Sequence, residues 1–232
     1  MMSALAFLTI LGPSRAPDAR TLRWFPVIGA SLGAVLAGAH WGAHELWPPL
    51  VAGAVILGVD LVLTGALHID GLADTADGVL PHMDRHRRLQ VMAQPDVGAF
   101  AIAVVVTGLL LRWALLADAG LESAALMAIW AMSRTIVAII PAVAPYARPD
   151  GLATPFLDGT SRWLGLWLIP AALTLIAARG VTGAVAVLAA VLAAIAVVAL
   201  AWRRLGGFTG DVLGAVIVVS ETAALLAIAA QP

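Results

Sequence analysis

The sequence contains no cysteine and no lysine. Without cysteine the chain can form no disulfide bond, no thiolate nucleophile, no zinc–thiolate site and no cysteine-ligated iron–sulfur cluster. All thirteen basic residues are arginines, so the chain can form neither a lysine Schiff base nor the phosphate contact of a P-loop lysine. These absences exclude several classes of enzyme before any motif is considered.

Charged residues are also scarce, at 12% of the 232 residues, whereas a soluble domain carries about 25%. Hydrophobic residues make up 62% of the chain, and the mean hydropathy is +0.98. This composition indicates a multi-pass membrane protein with the lipid bilayer as a partner. The net charge of −1 and the lack of a basic stripe argue against nucleic-acid binding.

Apolar runs predict an all-α fold, a polytopic integral membrane helix bundle with about seven transmembrane helices in a single domain, residues 1–232. The apolar segment 1–11 is too short to span a bilayer, and we predict that it is interfacial or re-entrant. The predicted spans cover approximately residues 24–41, 48–67, 97–117, 121–141, 163–178, 181–201 and 212–230.

The arginines predict the orientation of these spans, because cytoplasmic loops of membrane proteins carry an excess of Arg and Lys. With the N terminus inside, the outer loops hold only Arg179. We therefore predict a protein of the cell (inner) membrane whose active-site segments 68–96, 142–162 and 203–211 are cytoplasmic. The ten arginines on the predicted inner side are Arg15, Arg20, Arg23, Arg85, Arg87, Arg88, Arg148, Arg162, Arg203 and Arg204.

An acidic motif follows the second predicted span. Asp70, Asp74 and Asp77 are spaced i, i+4 and i+7, so a helix would project all three carboxylates from one face. Carboxylates this close repel one another unless a cation lies among them, and such oxygen ligands suit Mg²⁺ or Mn²⁺ bound together with substrate phosphates. The alternative is a solvated acidic helix end. We interpret the three aspartates as metal ligands and, with His68, as candidate catalytic residues.

A glycine-rich turn, residues 206–211, precedes the last predicted span. Its glycines let the backbone approach a ligand, and the first amides of the next helix suit a phosphate. The turn could therefore bind substrate through Thr209, Gly210 and Asp211, and the alternative is that it simply begins a helix. Thr209 or Asp211 can also cap the helix, and whether Asp211 is a cap or a metal ligand is left open. We expect Asp211 and Asp74 to reach the same diphosphate–metal unit.

Four charged residues lie inside predicted spans: Asp60, Arg112, Arg134 and Glu221. A charge at the bilayer centre costs about 2.5–3.5 kcal/mol on insertion scales, so each should face a partner or a cavity. Arg112 is close to a span end beside Trp113, and we expect it to snorkel to the membrane surface. Arg134 could pair with an acid or bind a substrate phosphate, and both alternatives stay open.

Residues 68–78, with the sequence His-Ile-Asp-Gly-Leu-Ala-Asp-Thr-Ala-Asp-Gly, closely resemble the motif of the cobalamin synthase family, the adenosylcobinamide-GDP ribazoletransferases. Residues 206–215 resemble that family's Gly-Gly-x-Thr-Gly-Asp element. One departure occurs at Gln94-Pro95-Asp96-Val97-Gly98, where many members carry Asp-Ser-Arg-x-Gly, so any phosphate contact of that arginine cannot be carried over. Further similarities follow in collinear order at residues 7–9, 25–29, 132–134 and 146–152.

The resemblance implies a Mg²⁺-dependent transferase of cobalamin biosynthesis. In the implied reaction α-ribazole or its 5′-phosphate displaces GMP from adenosylcobinamide-GDP, giving adenosylcobalamin or its 5′-phosphate. Asp70, Asp74 and Asp77 would hold the metal, and His68 or one aspartate would take a proton from the attacking ribose hydroxyl. Arg134 and the turn at 209–211 would close the other side of the pocket.

Two alternative functions use the same residue types. A CDP-alcohol phosphotransferase also sets aspartates on membrane helices, but residues 70–75 do not meet its Asp-Gly-x-x-Ala-Arg pattern. A metal- or proton-coupled transporter would use Asp60, Arg134 and Glu221 as an intramembrane path. The lack of an internal repeat disfavours a transporter. The sequence leaves open whether the protein forms a homo-oligomer and whether one or two metal ions bind.

Overall fold

The computed structural model describes residues 1–12, 17–118, 120–148, 151 and 154–230, apart from the side chains of Phe156 and Asp158. Within these residues the regular elements are helices, so the predicted all-α fold is confirmed. Short 3₁₀ turns join several of them. The α-helices are α1 (Met2–Leu8), α2 (Phe25–Leu46), α3 (Pro49–Thr64), α4 (Leu67–Val79), α5 (Arg85–Val91), α6 (Ala99–Leu116), α7 (Ser123–Ile139), α8 (Leu168–Leu205) and α9 (Gly210–Ala229).

The predicted number of about seven spans holds approximately. In the part of the chain that the structure describes, five helical segments are long and apolar enough to cross a membrane when α8 is counted once, or six if α3 and α4 together form one bent span. The span predicted at 48–67 is shorter than expected, because α3 ends at Thr64 and α4 leaves it at an angle of 87°. The prediction of about seven helices is therefore only approximate.

The spans predicted at 163–178 and 181–201 both fall within α8, which is interrupted at Gly180. This residue has φ 56° and ψ −128°, far from helical values. Two observations show that the chain reverses direction there. A Cβ on Gly183 would collide with the carbonyl oxygen of Leu175, and Leu168 and Ile195 line the same groove. α8 therefore consists of two antiparallel arms.

Small residues bring the membrane helices into close contact. A Cβ on Gly29 of α2 would collide with the carbonyl oxygen of Trp130 in α7, and a Cβ on Gly33 would lie 2.6 Å from the Cα of Met127. Without a hydrophobic driving force between helices in lipid, such close backbone packing supplies much of the association energy. The glycines of α2 therefore fix its position against α7.

One end of the bundle collects segments that are distant in sequence. The amide of Ala147 donates to the carbonyl oxygen of Phe208 at 2.8 Å, and the amide of Phe208 donates to that of Pro145 at 2.9 Å. Arg85 donates to the carbonyl oxygen of Ala147 at 3.3 Å. The three segments predicted to share one side of the membrane thus meet here, and we call this the site end.

The opposite end of the bundle is held by contacts of its own. The indole of Trp113 donates to the carbonyl oxygen of Leu50 at 2.6 Å, which ties the end of α6 to the beginning of α3. Arg179, the one arginine predicted on the outer side, lies 2.5 Å from the carboxylate of Glu122. Arg179 therefore lies at the end opposite the site end, and which end faces the cytoplasm stays a prediction.

The contact between α2 and α7 can be tested with a methyl group. We expect Gly29→Ala to destabilise the protein by about 1–3 kcal/mol, because the added Cβ has no room beside the Trp130 carbonyl. Thermal unfolding in detergent measures the change. Gly38→Ala is the matched control in the same helix, since a Cβ there meets nothing within 4 Å. Equal stability of the two variants would contradict this packing.

Candidate active site

The acidic motif lies on α4, whose direction is set by a sharp turn. Gly65 and Ala66 both adopt the left-handed conformation, with φ values of 59° and 54°. For alanine this conformation costs about 1–2 kcal/mol, so the surrounding packing must hold it in place. Because α4 has 13 residues and several acids, we place it outside the membrane-spanning segments, across the site end.

The predicted helix over the acidic motif is confirmed, and the structure brings this helix against the glycine-rich turn. The carbonyl oxygen of Asp211 lies 2.7 Å from the position that a Cβ on Gly71 would take. Glycine at position 71 therefore permits the contact between α4 and the first turn of α9. Asp70 is exposed and Asp74 is partly buried on the same helix. The two motifs thus form neighbouring walls.

The choice left open for Asp211 is settled in one respect, because Thr209 is the residue that caps α9. The Thr209 hydroxyl accepts a hydrogen bond from the amide of Val212 at 3.3 Å. The Asp211 carboxylate instead accepts from the Thr209 hydroxyl at 3.2 Å and forms an ion pair with Arg148 at 3.1 Å. Its role as a metal ligand stays a prediction.

Arg148 is a site residue that sequence reasoning missed. Besides its ion pair with Asp211, it donates to the carbonyl oxygen of Met92 at 3.3 Å, so it joins three segments at the acidic site. The resemblance at residues 146–152 was the one signal that could have indicated it. Two acids of the same predicted segment, Asp150 and the side chain of Asp158, lie outside the described residues.

The acidic site carries more negative than positive charge. Burial raises the pKa of Asp74 from 3.8 to about 7, and the negative charges of Asp211 and Asp70 act in the same direction. Arg148 opposes them without cancelling their effect. With a pKa of about 7, Asp74 is roughly half protonated at neutral pH when no cation is bound, and a bound cation would favour release of that proton by stabilising the carboxylate.

Asp77 has different surroundings from the other two aspartates of the motif. Its side chain is buried, and its two oxygens accept hydrogen bonds from the amides of Gly98 at 2.6 Å and Ala101 at 2.9 Å. These amides belong to the beginning of α6, so Asp77 supplies the N-terminal cap that Gly98 lacks. Its predicted roles in metal binding and catalysis stay predictions.

His68 lines a narrow pocket between α4 and α9. The ring is buried, and its Nε2 has no hydrogen-bond partner among the described residues. The segment predicted to be interfacial or re-entrant, residues 1–11, forms α1 and contributes part of the wall. The residues around this pocket include Phe7, Leu8, Phe25, Asp70, Gly71, Gly210 and Asp211.

Beneath this pocket the four intramembrane charges form one buried network. Arg112 lies 2.9 Å from the carboxylate of Asp60 and 3.1 Å from that of Glu221. Arg134 pairs with the other oxygen of Glu221. The expectation that Arg112 snorkels is wrong, because it is 1% exposed and two acids inside the bundle neutralise it. For Arg134 the ion-pair alternative is confirmed, and its substrate-binding role stays a prediction.

These features define a multi-pass membrane protein with an acidic site at one end of a helical bundle. The family described as cobalamin-5-phosphate synthase matches residues 1–229, and the chain belongs to this family.

Three curated relatives carry the name adenosylcobinamide-GDP ribazoletransferase. The relative from Alkalilimnicola ehrlichii is 39% identical, with 99% of this chain and 95% of the relative covered. The relative from Pseudomonas paraeruginosa is 34% identical, with 99% and 97% covered. The relative from Geobacillus kaustophilus is 32% identical, with 96% and 91% covered. No solved structure matches the chain.

The buried network predicts an unequal response to charge removal. Glu221→Gln should destabilise the protein by about 3–5 kcal/mol, because Arg112 and Arg134 would both lose a buried counter-charge. Glu45→Gln is the control, since Glu45 is exposed. Chemical denaturation in detergent measures both variants. A loss below about 1 kcal/mol for Glu221→Gln would show that the network is not a stabilising contact.

The raised pKa of Asp74 predicts a pH-dependent gain in stability on its neutralisation. The folded state holds the proton up to about pH 7 whereas the unfolded chain releases it near pH 3.8, so wild-type stability falls as pH rises through this window. With a chelator present, Asp74→Asn should therefore raise the melting temperature most above pH 7. The gain should vanish near pH 4. Asp96→Asn, at an exposed acid, should give no such profile.

Proposed function

We propose that this protein is a Mg²⁺-dependent adenosylcobinamide-GDP ribazoletransferase of the cell membrane, with its active site facing the cytoplasm. It would join α-ribazole or its 5′-phosphate to adenosylcobinamide-GDP and release GMP. Membership of the family and the names of the relatives support this activity. The observation that carries the assignment to this site is the contact between the acidic motif and the glycine-rich turn.

The donor set fits a magnesium ion that the substrate completes. Among the described residues, no group of three His, Asp or Glu side chains is arranged to hold a metal by itself. Mg²⁺ commonly uses one or two carboxylates together with substrate phosphates, so a full protein shell is not required. Asp70 and Asp74 would supply the carboxylates, with Asp211 adjoining them. The ion would neutralise charge on the diphosphate.

The remaining groups of the site have roles in binding and proton transfer. The first amides of α9, after Thr209 and Gly210, suit a phosphate oxygen. Arg148 would contact the diphosphate in place of the family arginine that is missing at residues 94–98, because it already reaches the acidic site. His68 would accept the proton of the attacking ribose hydroxyl, since its Nε2 has no other partner among the described residues.

In the proposed reaction a ribose hydroxyl oxygen bonds to the phosphorus that carries the cobinamide, and the bond from this phosphorus to GMP breaks. The proton of the hydroxyl passes to the base, and GMP leaves as the phosphate monoester. The transporter alternative has less support, because Asp60, Arg134 and Glu221 are engaged in the buried network and not along an open path.

Removal of one carboxylate tests the site. Asp70→Asn should lower the rate of GMP release from adenosylcobinamide-GDP at least about 100-fold, because the charge that holds the cation is lost. The assay uses protein in liposomes at several Mg²⁺ concentrations. Glu45→Gln, at the opposite end of α2, should keep the wild-type rate. A wild-type rate for Asp70→Asn at low Mg²⁺ would contradict the proposed metal site.

A further inference from the structure

A second cleft at the site end lies outside the acidic site. Arg20 and Arg23 line it together with three tryptophans, Trp24, Trp163 and Trp167. Both arginines are exposed, and neither forms an ion pair with any described residue. Trp163 is 73% exposed. We call this the arginine–tryptophan cleft. It holds two positive charges beside a large apolar surface, and the Asp18 carboxylate next to it accepts a hydrogen bond from the backbone amide of Arg20 at 3.0 Å.

The cleft continues into an apolar groove on the membrane-facing side of the bundle. Val27 and Trp167 line both features, so the two are contiguous. The groove lies between α2, α7 and the first arm of α8, and small residues such as Ala30 and Ala131 form its floor. From Trp167 to Thr174 it follows the helix for about 10 Å. The cleft is polar and the groove that extends from it is apolar, so together they fit an amphiphilic molecule.

The position of the cleft relative to the bilayer indicates which amphiphile fits. Tryptophans are enriched at the level of lipid headgroups, and the apolar helix α2 begins directly after Trp24. Basic pockets between membrane helices bind the phosphates of anionic lipids. We propose that an anionic phospholipid binds here, with its phosphate on Arg20 and Arg23 and one acyl chain in the groove. A soluble phosphate ester would leave the groove uncovered.

The charge requirement can be measured by native mass spectrometry of the full chain in detergent with added phosphatidylglycerol. The double variant Arg20→Gln/Arg23→Gln should bind this lipid at least about 10-fold more weakly than wild type. Arg203→Gln/Arg204→Gln removes the same charge at the same end and should stay within about twofold of wild type. Equal weakening in both variants, or displacement of the lipid by GMP, would overturn the proposal.

The groove is tested separately by filling it. Ala30→Phe should weaken binding of dioleoyl-phosphatidylglycerol about 10-fold and leave binding of glycerophosphoglycerol unchanged, because this headgroup carries no acyl chain to enter the groove. Gly38→Phe is the control in the same helix, since its side chain would extend into open space. If Ala30→Phe binds the lipid like Gly38→Phe, or weakens binding of the lipid and of the headgroup equally, no acyl chain lies in the groove.

Discussion

The rest of the structure depends on a neutral cluster of four charges inside an apolar bundle. A buried charge without a partner would cost several kcal/mol. The four charges lie on four helices, so the bundle tolerates them only when these helices pack in one relative register. The charges are Asp60 on α3, Arg112 on α6, Arg134 on α7 and Glu221 on α9. Apolar packing alone would allow these helices to slide and rotate. The ion pairs remove that freedom, because any other register leaves a charge unpaired in the membrane.

The buried ion pairs also fix the position of the acidic site, because α9 carries residues of both. Glu221 and Asp211 lie on the same helix, ten residues or about 15 Å apart along its axis. A network that fixes α9 at Glu221 therefore also fixes the first turn of α9 against Gly71 in α4. One turn further along α9, a Cβ on Gly214 would lie 3.3 Å from the Cα of His68, so α9 also packs closely against the beginning of α4. The membrane interior thus positions the site that lies at its edge.

Local pattern was enough to predict the helices, the acidic face of α4 and the convergence of three loops at one end. It failed where a partner lies far along the chain. Arg112 has a tryptophan beside it and lies near a helix end, so snorkelling was the reasonable expectation. Its ion partners are 52 and 109 residues away, and no spacing rule reports them. The role of Arg148 was not predicted for the same reason, because its ion-pair partner Asp211 lies far along the chain. No sequence pattern predicts the left-handed conformation of Ala66.

The acidic motif illustrates how one sequence pattern can serve two physical needs. The i, i+4, i+7 spacing puts Asp70, Asp74 and Asp77 on one face, but the first and last are about 10 Å apart along the helix axis. Asp211 approaches α4 at the level of Gly71, near the first two aspartates. At the C-terminal end of α4, both carboxylate oxygens of Asp77 accept hydrogen bonds from amides at the beginning of α6. A cation at the turn of α9 would therefore draw on Asp70 and Asp74, while Asp77 holds α6 in the position that α4 requires.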